Sequence, residues 1–130
     1  MAKRSVLILV ASTLTAAMLG GCVVLAPHSA SPPDAPIGQV TGLVGDAMDL
    51  RAEGAACSRG HTLEWQWDFG AGSCSDWLAG SVVAHAWDVP GTYQVRVRVR
   101  CQESHAVISP WSESVTVFVL SYPSPSSQAR

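Results

Sequence analysis

The four cysteines and four histidines are the residues of this chain with the widest chemical reach, and two of each recur at one spacing: Cys57-x3-His61 and Cys101-x3-His105. Two thiolates and two imidazoles form a tetrahedral donor set for zinc if the fold brings the pairs together, whereas two neighbouring cysteines in an oxidising compartment form a disulfide. Arg96, Arg98 and Arg100 are a second constellation: alternate residues place three guanidinium groups on one strand face, able to hold an anionic glycan or phosphate. The competing reading is a solvated face paired with cross-strand acids such as Glu64. Trp77 is the aromatic that no alternating pattern explains, and it either stacks on a sugar ring or protein partner or folds back over the core. Catalysis has no comparable footing. No G-x-S-x-G, H-E-x-x-H, P-loop or G-x-G-x-x-G pattern occurs, and Asp68 has no partner acid close in sequence, so neither an enzyme nor a cofactor is expected.

These residues sit in a chain of 130, 48% hydrophobic and 14% charged, with eight Lys+Arg against ten Asp+Glu and a formal net charge of -2. That length holds one modest domain. The charge is too small to signal disorder and carries no basic field, which excludes nucleic acid as a partner.

Lys3 and Arg4 precede an apolar run over residues 6–19 that ends in Gly20 and Gly21, the layout of a secretory signal peptide over residues 1–21. The run is too short to span a bilayer, which takes about 20 residues. Leu19-Gly20-Gly21-Cys22 resembles the lipobox of bacterial lipoproteins, and the resemblance implies that Cys22 becomes the acylated first residue, tying the protein to the membrane. Val23 stands where some bacteria place an Asp to retain lipoproteins at the inner membrane, so the resemblance implies an outward-facing, extracytoplasmic location in the bacterial cell envelope. Processing there leaves six Arg against ten acids. Residues 22–36, with Pro27, Pro32, Pro33 and Pro36, read as an extended tether, and residues 121–130, rich in Ser and Pro, as a disordered tail.

The remainder, residues 37–120, must position the candidate groups, and its hydrophobic period is two. Met48, Leu50 and Ala52 alternate with polar residues, as do Leu63, Trp65 and Trp67, and Val95, Val97 and Val99. Val82-Val83 and the apolar run 115–120 add further strands, with Gly or Pro between runs and no helical period after the signal. This pattern predicts an all-β, Ig-like antiparallel sandwich of six or seven strands.

Within it, Trp65-Gln66-Trp67-Asp68-Phe69-Gly70-Ala71-Gly72, His85-Ala86-Trp87 and Pro90-Gly91-Thr92-Tyr93 resemble the signature of PKD domains, named for the polycystic kidney disease protein. The family's fold is an Ig-like β-sandwich, consistent with the strand pattern. Gly70, Gly72 and Gly91 suit sharp turns and Pro90 presets one. Ala71 stands where the family usually has Asp, which weakens the case for a carboxylate-lined calcium turn, and Trp87 replaces a commoner Tyr while keeping the aromatic packing. By the resemblance, His85 is a structural histidine donating from its ring to a backbone carbonyl, and Asp68 accepts amides of the turn that follows it. Placed on an Ig-like sandwich, the connections carrying Cys57 and Cys101 fall at one end. We therefore expect a Cys57–Cys101 disulfide closing a loop of about 45 residues, worth roughly 4 kcal/mol in the chain-entropy account, with Cys74 left as a free thiol or an intermolecular bridge. The alternative is zinc on Cys57, His61, Cys101 and His105. By resemblance, the function is that of a lipid-anchored, non-catalytic binding or adhesion module contacting glycan or protein, or else a structural spacer or accessory subunit of a cell-envelope assembly.

Overall fold

The computed structural model describes residues 26–123. The signal peptide, Cys22 and the last seven residues of the expected tail lie outside the described residues. Eight strands follow in order: β1 (Ile37–Gly38), β2 (Thr41–Leu43), β3 (Met48–Arg51), β4 (Leu63–Asp68), β5 (Val82–His85), β6 (Gly91–Cys101), β7 (Ser104–Ile108) and β8 (Val115–Leu120). No helix occurs among the described residues. One sheet has the order β1-β3-β5, and the other runs β2-β8-β6-β4 with β7 also paired to β6.

The core lies between the sheets and is built by strict alternation. Met48 and Leu50 from β3, Trp67 from β4, Val95 and Val97 from β6, and Val117 and Val119 from β8 are each no more than 2% exposed. The all-β, Ig-like sandwich that the period-two pattern predicts is thus the fold observed. Trp87 closes one end, 2% exposed, donating its indole N–H to the carbonyl of Phe69 at 3.1 Å. Gly70, in the turn after β4, takes a φ of 79°, and a Cβ there would meet the carbonyl oxygen of Gln94 at 2.8 Å. Only glycine fits so close to β6.

The fold has eight strands rather than the six or seven expected, and two further features differ from the expected plan. One pair, β2 with β8, is parallel rather than antiparallel. The chain changes sheets between β1 and β2: the amide of Gln39 bonds to Asp49 in β3, while the carbonyl of the next residue, Val40, accepts from Phe118 in β8. The switch delivers β2 alongside β8 in the same direction. The second difference concerns residues 22–36, expected to be a free tether. Pro33 and Pro36 are buried, and residues 29–34 run against 53–58: Ser31 N–H bonds to Ala56 O at 2.8 Å, Asp34 N–H to Glu53 O at 2.9 Å, and Ser58 N–H to Ser29 O at 2.8 Å. The segment is extended, as its prolines require, yet it belongs to the folded unit because the loop opposite offers unpaired backbone groups to it.

Between β7 and β8, Pro110 prevents a regular strand, and two buried serines take its place beside β6. The hydroxyls of Ser109 and Ser112 accept the amides of Val99 and Val97 at 3.0 and 3.1 Å, while their own amides donate to the carbonyls of the same two residues at 2.8 Å. Ser112→Ala would strand the buried Val97 N–H, so we expect it to cost about 1–3 kcal/mol in urea unfolding, with the exposed Ser114→Ala nearly neutral.

Candidate functional site

β6 carries the three arginines outward because its valines face inward. In register across the ladder, β4 sets Asp68 opposite Arg96, Gln66 opposite Arg98 and Glu64 opposite Arg100. Each arginine donates its Nε–H to that partner, at 3.0, 2.9 and 2.7 Å respectively. The guanidinium planes are also interleaved with two indoles. Arg96 and Arg98 lie 4.7 and 4.4 Å from the Trp111 ring centroid, and Arg98 and Arg100 lie 5.5 and 4.5 Å from that of Trp77. The result is a five-membered stack in the order Arg96, Trp111, Arg98, Trp77, Arg100. Trp77, half-buried, is neither in the core nor free: it reaches this outer face because backbone bonds between Leu78 and Trp65, both 2.8 Å, pin its loop to β4. Trp111 was missed by strand alternation alone, since it sits in a connection held to β6 by flanking serines.

The second cluster lies where the N-terminal arm, the β3–β4 connection and the end of β6 meet. Cys57 and Cys101 are both buried, and both are free. The expected Cys57–Cys101 disulfide is therefore not formed. Instead each sulfur faces an imidazole: His28 Nε2 lies 3.1 Å from Cys57 Sγ, and His61 Nδ1 lies 3.0 Å from Cys101 Sγ. One ligand atom from each of His28, Cys57, His61 and Cys101 falls within 4.8 Å of every other. His105, the fourth member of the zinc set read from spacing, is not among them. It is exposed on β7, with Nε2 3.5 Å from Glu64 on the arginine-bearing side. The β-bulge between Arg100 and Cys101 resets the pairing of β7, so equal sequence spacing does not become equal position. His28 fills the vacancy from the arm that the sequence pattern had assigned to a tether, and no local signal marks it.

The surroundings of Cys57 ease loss of its proton. Burial raises the Cys57 thiol, but hydrogen bonds from the amides of Arg59, His61 and Gly60 and from Cys101 outweigh it and hold the group below its ordinary value. His28 is held below the usual imidazole value by burial and then by the charges of Arg59 and His61, with Glu103 opposing. Glu103 also lies 3.4 Å from His61 Nε2, on the far side of the ring from Cys101. Cys74 is elsewhere: it is exposed, in a backbone bridge with Asp68.

The remaining motif residues build structure. Asp68 Oδ1 accepts the Gly70 amide at 2.9 Å while Oδ2 takes Arg96. The His85 ring stacks face to face on Phe69, centroids 3.8 Å apart, and meets Trp87 edge-on at 4.6 Å. Stacking, rather than the expected ring-to-carbonyl hydrogen bond, holds it. Pro90 leads into β6 at Gly91, Thr92 is exposed, and Tyr93 leans on Trp87 with its hydroxyl donating to Val89 O.

With this geometry in place, comparison with known proteins defines the class. The chain belongs to the PKD domain family, which matches residues 30–116; PKD domains are typically non-catalytic Ig-like modules. Among solved structures, the chain is similar to the PKD domain of an M14-like peptidase from Thermoplasmatales archaeon SCGC AB-540-F20, at 22% identity over 71% of this chain and 99% of that one, with a TM-score of 0.55. It is also similar to a structure described under the promiscuous specificity of carbohydrate-binding modules from the β-sandwich superfamily, at 19% identity and a TM-score of 0.51, covering 68% of this chain and 35% of that one. The PKD domain of the human VPS10 domain-containing receptor SorCS2 aligns at 23% identity over 78% of this chain and 84% of that one, with a TM-score of 0.48. No curated protein matches.

His85 supplies a pH test of the aromatic cluster. Burial holds its pKa below the ordinary 6.5, partly offset by Asp88. The unfolded chain then binds a proton that the folded one resists, so this contribution to stability is fully present above about pH 6.5 and is lost as pH falls below it. Thermal unfolding should show the decline in the parent protein, and His85→Phe, which keeps a stacking ring without the charge, should flatten it.

Proposed function

We propose that this protein is a lipid-anchored, extracytoplasmic, non-catalytic contact module whose ligand face is the outer surface of β4 and β6, and that its ligand is an anionic glycan. One observation carries the reading: the stack of three guanidinium groups and two indoles on a single sheet face. Each arginine uses its Nε–H within the sheet, which leaves its Nη donors for sulfate or carboxylate groups, and guanidinium is suited to paired contact with such anions. Stacking on indole holds each side chain in one orientation, so little rotamer freedom remains to be lost on binding. The likeness in fold to a structure described among carbohydrate-binding modules supports the same direction, and the PKD family supports a module rather than an enzyme. The lipobox at Cys22 supports attachment to a membrane in the cell envelope.

Arg98 touches both indoles, so it tests the face best. Titration of a sulfated polysaccharide into the protein should show binding that weakens with salt, and Arg98→Ala should reduce affinity by about tenfold or more, the scale of one charge-assisted contact of about 1.5–3 kcal/mol. Unchanged binding by a folded Arg98→Ala, Trp77→Ala double variant would assign the face to structure alone and favour the accessory-subunit reading. The anchor is tested separately. Protein extracted from its host's membranes should carry acyl mass on Cys22, and Cys22→Ser should move it to the soluble fraction.

A further inference from the structure

We propose that His28, Cys57, His61 and Cys101 form a tetrahedral binding site for zinc. Zinc bonds of about 2.3 Å to sulfur and about 2.0–2.1 Å to nitrogen place tetrahedral ligand atoms about 3.3–3.8 Å apart. The two nitrogen–sulfur pairs here stand at 3.1 and 3.0 Å, and no pair among the four exceeds 4.8 Å. Closing the cage needs the close pairs to part slightly and the wider ones to draw in by about 1 Å, within reach of side-chain rotation. Two sulfurs and two imidazole nitrogens are the donor set that borderline-soft zinc takes in closed structural sites.

The atoms around the four ligands are arranged as outer partners of such a site. His61 turns Nδ1 inward toward Cys101, and its Nε2 faces Glu103 at 3.4 Å, where the outer carboxylate of a metal-bound imidazole would stand. The Arg59 amide donates to Cys57 Sγ at 3.4 Å, in a turn where Gly60 donates to Cys57 O at 2.9 Å and takes a φ of 72°. This turn aims backbone N–H groups at the sulfur, as a bound thiolate requires. His28 is delivered by the arm whose neighbours Ser29 and Ser31 bond to Ser58 and Ala56. A bound ion would tie together three segments far apart in sequence: the arm, the β3–β4 connection and the end of β6. Binding replaces two S–H bonds with two zinc–sulfur bonds, releases two protons to solvent, and needs neither oxidant nor reductant.

The test uses the full chain, stripped of metal under reducing conditions and then given zinc or cobalt(II). One zinc per chain in native mass spectrometry, a rise in melting temperature on zinc addition and the absorption of a tetrahedral cobalt–thiolate centre are expected. His28→Ala should weaken zinc binding by more than about 100-fold, the upper range already reached by losing an outer partner, while His105→Ala leaves it unchanged. The cobalt spectrum of the unaltered chain decides the matter even where a ligand variant does not fold. A metal-free Cys57–Cys101 disulfide in protein recovered from its host, absence of the cobalt–thiolate bands, or equal loss in His105→Ala and His28→Ala would each overturn the site.

Discussion

Everything in this molecule hangs on the pleat of β6. Side chains alternate along a strand, so one eleven-residue segment has one inward parity and one outward parity from end to end. The inward set is Val95, Val97, Val99 and Cys101, all fully buried, and the outward set includes Arg96, Arg98 and Arg100. Core, arginine face and one sulfur of the Cys–His cluster are therefore consequences of a single periodicity. A slip of one residue would drive three guanidinium groups between the sheets, where an uncompensated charge costs several kcal/mol. The register is accordingly strongly specified.

Three like charges on neighbouring outward positions repel one another, and the fold offsets this twice. Cross-strand pairing sets Asp68, Gln66 and Glu64 directly opposite the three arginines, and two loops bring Trp111 and Trp77 between them. Ion pairs that keep contact with solvent, as Arg96–Asp68 does, contribute little to stability, about 0–1 kcal/mol each. Their effect is on order: hydrogen bond and indole together confine each guanidinium, and a confined cation is a better receptor than a mobile one.

At the end of β6 the inward parity delivers Cys101 to a region where the sandwich core has run out. What surrounds it is polar and comes from loops. In a domain this small the ratio of surface to buried area is unfavourable, and small domains commonly add a covalent or metal link. The structure gathers four possible donors there, from the arm, a connection and the strand end, with Glu103 and the Arg59 amide beside them. The basic face and the sulfur cluster thus lie on opposite parities of the same strand, and each can be altered without rebuilding the other.

The sequence by itself determined what depends on period and on local turn chemistry. The alternation of Val and Arg, the glycines after Asp68 and the Pro90-Gly91 turn specify strands, faces and an Ig-like sandwich, and inward Cys101 follows from the same count as Val99. What it could not determine were contacts between segments whose proximity has no periodic signature. The arm with His28 lacks alternation, and its pairing with residues 53–58 is carried by backbone groups, which every sequence has, and by serine hydroxyls, which follow no period. Trp111 enters the stack from a proline-broken connection, and a bulge turns His105 to the opposite face. Equal spacing in sequence suggested His105 as a metal ligand. Tertiary structure places His28 beside the two sulfurs instead, because position in space is fixed by strand pairing and loop closure over the whole chain rather than by separation along it.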